Sequence, residues 1–199
     1  MYRTLLTKRF FDNNPYKEFS AARITLITLQ SETFEERAMQ LAEQGISPER
    51  MAMAKAERVS IENEENPQVL LKYLRSNIDG MNRPFLIRKA LEYEAEILPG
   101  VVQRLMTSGN DHFIETAVRL LGKSREDHTA PLVQRYDEIR NPYTQSLLCV
   151  VLGLRGKEDI IPWVYEKYME AKRLYPEETY SEGPLIALYE LKSRFYRKS

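Results

Sequence analysis

The placement of proline constrains this chain more than any other feature. Proline locks φ near −65° and has no N–H, so it suits the first position of a helix and costs ~3 kcal/mol in a helix interior. Here a small polar residue able to cap a helix repeatedly stands in front of it: Asn14-Pro15, Ser47-Pro48, Asn66-Pro67 and Asn141-Pro142, with Asn82-Arg83-Pro84 a close variant. An Asn or Ser side chain at that place accepts hydrogen bonds from the free N–H groups of the first turn. Thr33-Phe34-Glu35-Glu36 has the spacing of a capping box, with Glu36 placed to reach back to the cap. Glycines fall where the helices so opened should stop: Gly45, Gly80, Gly109, Gly122, Gly156 and Gly183.

Between these marks the apolar residues keep helical spacing. Phe85, Ile87, Ala90, Leu91 and Tyr93 share a face before Pro99, and Val101, Val102, Leu105 and Met106 continue after it. Phe113, Ala117, Val118, Leu120 and Leu121 make the next stripe, then Leu132, Val133, Tyr136 and Ile139. No strand pair or Asn-Gly hairpin turn is present. Residues 22–29 alternate β-branched side chains as a strand would, but their length and surroundings predict a helix.

Several marks recur at one spacing. Asn110 to Asn141, Gly122 to Gly153 and Pro131 to Pro162 are each 31 residues apart, and a looser copy begins at Asn82. Such a period marks stacked units, none of which can bury its apolar face alone. The unit is an apolar helix ending in Leu-Gly, a short polar turn, and an apolar residue before Pro that opens a second helix. Leu152-Gly153 followed by Ile161-Pro162, and Leu121-Gly122 followed by Ala130-Pro131, carry it. Over residues 82–170 the chain resembles HEAT-like repeats, in the short form named after phycobilisome lyases. It departs from that pattern early in the first helix, where Ile114 and Gln145 replace the usual Arg. The resemblance implies an all-α, right-handed α-solenoid of stacked antiparallel helical hairpins, a HEAT-like superhelix. With 199 residues, 43% of them hydrophobic, the chain has material for one all-helical domain over 1–199. Residues 1–80 supply N-terminal helices, and 82–199 the repeats. The segment from Gly183 to Leu191 reads as a first helix without a second, and therefore as a cap.

Twenty-nine basic residues offset 29 acidic ones, whereas binding along a nucleic-acid backbone relies on a basic surface, so a nucleic-acid partner is not expected. No run of 18 apolar residues exists to span a membrane, and Met1 to Arg9 lacks the apolar centre of a secretory signal. The single cysteine, Cys149, lies in an apolar run and fits a reducing compartment. A cytoplasmic protein is expected.

Residues suited to catalysis are scarce. His112 and Glu115 stand one helical turn apart and could offer two metal ligands, but a zinc site needs a third and no partner motif supplies it. His128 lies in a polar turn. Cys149 has only apolar neighbours where a nucleophile would need a base. Glu92, Glu94 and Glu96 point in different directions on a helix. No phosphate-binding loop, dinucleotide fingerprint or nucleophile elbow is present. The expectation is no catalytic residue, no metal and no cofactor. Two enzyme types share the repeat: HEAT-like alkylpurine DNA glycosylases, which use a basic concave face with aromatic and acidic residues, and phycobilisome chromophore lyases. The glycosylase is the alternative reading; here Trp163 is the only tryptophan.

Tyrosine is the more constructive clue. Eight of the twelve lie from Tyr136 onward. Tyrosine couples an apolar ring to a polar tip, which suits wedges between repeats and binding surfaces alike. Superposed repeats align Gln103, Gln134 and Tyr165, then Arg104, Arg135 and Glu166, then Leu105, Tyr136 and Lys167. In a solenoid, equivalent positions of successive second helices form one ridge. The expected function is a non-enzymatic protein–protein interaction or scaffold module, with Arg104, Arg135, Tyr136, Tyr165 and Tyr168 facing a protein partner or another copy of the chain.

Overall fold

The computed structural model describes residues 20–196; the Asn14-Pro15 helix start lies outside them. The described residues form eleven α-helices and no strand. In order they are α1 (Ala21–Gln30), α2 (Glu32–Gln44), α3 (Pro48–Glu62), α4 (Pro67–Arg75), α5 (Arg83–Leu91), α6 (Glu94–Leu105), α7 (Asp111–Lys123), α8 (Thr129–Arg135), α9 (Pro142–Arg155), α10 (Ile161–Leu174) and α11 (Glu182–Phe195). Residues 22–29 are helical despite their strand-like alternation. None of the described helices is long and apolar enough to cross a membrane.

The polar-residue-before-proline punctuation works as expected at three starts. Ser47 Oγ accepts from the Arg50 N–H at 3.3 Å, Asn66 Oδ1 from the Gln68 N–H at 2.9 Å, and Asn141 Oδ1 from the Tyr143 N–H at 2.9 Å. Asn110 caps α7 through the Phe113 N–H at 3.2 Å. The spacing from Asn110 to Asn141 is therefore a spacing between helix starts.

Elsewhere tertiary contacts change the local outcome. α2 begins at Glu32, so Thr33 lies inside the helix and its hydroxyl pairs with Ser31 Oγ at 3.0 Å. Asn82 makes no side-chain cap on α5; it is fully buried. Its Nδ2 donates to the Ala54 carbonyl at 2.8 Å and to Glu57 Oε2 at 2.7 Å, while its Oδ1 accepts from Arg58 Nε at 3.3 Å. Pro99 does not divide two helices. The chain turns at Glu92 and Tyr93 instead, and Pro99 sits exposed within α6, where water can serve the carbonyl that proline cannot.

Glycine is the largest departure. Gly45 and Gly156 do stand directly after helices, but Gly122, Gly153 and Gly183 lie within them. No described glycine takes a positive φ. Their value is close approach: a Cβ on Gly153 would lie 2.9 Å from the Ala187 Cβ, and one on Gly183 would run into the Ser146 backbone.

Packing gathers the described residues into two compact units, Ile27–Arg125 in one and residues 20–26 with 126–196 in the other. In the first unit α3 packs on α5, α4 on α5, α6 and α7, α5 on α6 and α7, and α6 on α7. Ile61, Leu70, Leu86, Ile97, Leu105 and Ile114 are fully buried at their centre. In the second unit α9 and α10 both pack on α11. Ser146 meets Gly183, Gly153 meets Ala187, and Arg194 Nη1 donates to the Gly153 and Gly156 carbonyls at 2.9 Å. The partners rise together along both helices, so α9 and α11 run in the same sense.

Candidate partner-binding site

The unit that holds α8 to α11 contains a hollow of about 140 Å³. Pro142, Gln145 and Ser146 at the start of α9 form one wall, and Lys167, Glu170 and Leu174 on α10 form another. Tyr136, Tyr175 and Tyr180 complete it with aromatic surface, the last two packed edge to face at 5.3 Å. Positions 167, 170, 171 and 174 recur at helical spacing, which is why one face of α10 lines the hollow. Pro184 enters it because Gly183 lets the start of α11 lie against Ser146.

The ionisable groups of this hollow are largely committed to one another. Lys167 Nζ lies 2.6 Å from Asp137 Oδ1 and 3.2 Å from Glu170 Oε2. It also sits over the rings of Tyr136 and Trp163, at 5.4 and 5.9 Å from their centres. Partial burial disfavours the ammonium, but the two carboxylates outweigh that and hold its pKa above the usual value of 10.5. Tyr136 packs edge to face on Trp163 at 4.9 Å and shares a hydrogen bond with Cys149, O to Sγ 3.2 Å. Burial pushes the Tyr136 phenol well above its ordinary 10.0 and the Cys149 thiol up to about 12. Both groups are therefore neutral near pH 7, and Cys149 is the core thiol its apolar neighbours imply.

The five residues singled out from sequence meet different fates. Tyr136 is buried and lines the hollow from within. Tyr165 and Tyr168 stand half-buried on α10, outside the hollow's lining. Arg135 is held by a forked bond to Glu138, with Nε at 3.1 Å and Nη2 at 2.8 Å from Oε2. Arg104 is exposed on α6, in the other unit. The repeating positions do not include Arg140, Tyr175 and Tyr180, which lie in the connections between the α-helices. The available signal was local: the Lys167-to-Glu170 spacing and the cluster of tyrosines after residue 164.

His112, Glu115, Glu92 and Glu94 are tied into structure. Arg83 joins His112 to Glu115, with Nη2 3.0 Å from His112 Nδ1 and Nη1 2.8 Å from Glu115 Oε2. Glu92 pairs with Lys89 at 2.7 Å, and Glu94 accepts from the Arg125 N–H at 3.0 Å, so the glutamates do not converge. Among the described residues no three His, Cys, Asp or Glu side chains gather as a metal site would require. No known protein family, curated protein or solved structure matches this chain.

Proposed function

We propose that this chain is a cytoplasmic, non-enzymatic interaction module that holds a protein partner along one face of a HEAT-like helical stack. The carrying observation is the hollow beside α10: a recess walled by tyrosine rings, in which Lys167 is neutralised by Asp137 and Glu170. Such a recess offers shape and aromatic surface, with no group poised to attack a substrate. Partner anchors are commonly aromatic side chains seated in pockets of this kind. Leu174, 48% exposed, forms an apolar lip on the hollow, and Tyr168 stands half-buried on the same helix.

The stacked arrangement is supported by helices that pack on the next but one in sequence: α3 on α5, α4 on α6, α5 on α7 and α9 on α11. The parallel course of α9 and α11, with α10 returning between them in sequence, is what successive hairpins of a solenoid require.

The test is affinity capture from native lysate with quantitative mass spectrometry, comparing the wild-type chain with Tyr168→Ala/Leu174→Asp as bait. Both substitutions fall at partly exposed positions, and circular dichroism checks that helicity is kept. A protein retained by the wild type and lost by the variant is the expected result. Recovery of DNA or a small molecule alone, or an unchanged set of proteins, overturns the reading.

A further inference from the structure

The unit Ile27–Arg125 carries a second recess, and its lining differs in kind from the first. It is open, about 390 Å³, and bordered by Arg75, Gly100, Gln103, Arg104 and Thr107. Residues 100, 103, 104 and 107 follow i, i+3, i+4, i+7 spacing, so they form one stripe along α6 and the turn after it. Arg75 ends α4, which packs beside α6. The two helices come close because Gly100 has no side chain: a Cβ there would lie 2.9 Å from Leu71 Cδ2 and 3.9 Å from Arg75 Nη2.

Two guanidinium groups thus border one recess, and no carboxylate lines it. Neither the Arg75 nor the Arg104 guanidinium has a hydrogen bond or ion pair with another described residue. Their place in the last turns of α4 and α6 does offset the negative ends of those helices. That explains a basic residue on each helix; it does not explain why both border the same recess, beside the amide of Gln103 and the hydroxyl of Thr107. Several other arginines of this unit are paired with carboxylates: Arg50 with Asp79, Arg83 with Glu115, and Arg119 with Glu115 and Glu35.

We propose that this recess binds carboxylate side chains from an acidic segment of a protein partner. A planar guanidinium presents paired N–H donors that match the two oxygens of a carboxylate, and two such groups with a neutral amide and hydroxyl make an acidic-peptide subsite. Charge complementarity selects the occupant, since the lining carries two positive charges and no negative one. The inference rests on the interaction-module reading and adds the chemistry of what is bound.

The test uses the full chain and a blocked hexaglutamate peptide, followed by NMR of the arginine Nε–Hε groups at low salt. Saturable shifts at Arg75 and Arg104 are expected, with binding weakened about tenfold by either Arg75→Ala or Arg104→Ala. Lys55→Ala, which removes one exposed positive charge elsewhere, should leave the affinity unchanged. Equal binding by wild type and both arginine variants overturns the proposal, as does the absence of saturable shifts. Inorganic phosphate or a duplex oligonucleotide moving the same resonances at lower concentration also overturns it. A protein captured equally by wild type and Arg75→Ala/Arg104→Ala, yet lost with Tyr168→Ala/Leu174→Asp, removes this recess and leaves the interaction module standing.

Discussion

Gly153 of α9 faces Ala187 of α11 so closely that a methyl group on the glycine would lie 2.9 Å from the alanine Cβ and overlap its backbone. Two helices can approach this far only where one of them lacks a side chain, so a single missing carbon sets the spacing of α9 and α11. The same device recurs nearer their starts, where Gly183 meets the Ser146 backbone. Leu148, Cys149 and Leu152 on one helix, and Ile186, Leu188 and Leu191 on the other, are fully buried.

Gly153→Ala and Gly183→Ala should therefore each destabilise the chain by about 3 kcal/mol, the upper end of the usual cost of overpacking. In an ordinary helix the same change would be stabilising. Urea denaturation followed by circular dichroism reads the difference, and a gain in stability would mean that the two helices can separate without loss.

Gly122→Ala should be milder, at about 1 kcal/mol or less. The added carbon would press on the Leu29 side chain, at 2.5 Å from Cδ2, 2.8 Å from Cδ1 and 3.2 Å from Cγ, and a leucine rotamer can give way where backbone cannot. A midpoint shift as large as that of Gly153→Ala would show that Leu29 is wedged in place.

Asn82→Ala should cost roughly 2–3 kcal/mol, because it strips partners from three groups at once. The Ala54 carbonyl, the Glu57 carboxylate and Arg58 Nε all bond to this one buried amide. Asn82→Asp should also destabilise, since its second oxygen would face the Ala54 carbonyl and Glu57 where an N–H₂ now donates. Denaturation midpoints of the two variants check both expectations.

Cys149 should resist thiol reagents in the native chain at pH 8 and react at once in denaturant. Its folded pKa, about 12, lies above the ordinary 9.0 because burial disfavours the thiolate. The folded state thus keeps a proton that the unfolded state loses. The contribution is intact below pH 9 and is lost as pH rises toward 12, by an amount on the order of a few kcal/mol. Tyr136, shifted upward by the same burial, acts in the same direction. Stability measured across pH 8–11 should fall; a flat or rising profile would contradict the buried pair.

Much of the candidate site stayed hidden in the sequence. Arg104 and Arg135 align one repeat apart and look equivalent, yet Arg135 is forked onto Glu138 while Arg104 borders an open recess. Tyr136, read from the repeats as facing a partner, is 4% exposed and borders the hollow from the core side. A side chain's partner depends on what the neighbouring elements bring to it, and Glu138, Arg75 and Cys149 are not marked by the repeat.

The sequence alone determined that the described chain is helical and where many of its helices begin, because proline stereochemistry and side-chain caps act within a few residues. It also carried the 31-residue period that returns as the spacing between the starts of α7 and α9. Tertiary structure alone decided what the glycines do, which way Asn82 turns, and that Pro99 is tolerated inside α6. Those outcomes depend on contacts across tens of residues, such as Gly153 with Ala187, where the free energy of close packing outweighs the local preference of a glycine to end a helix.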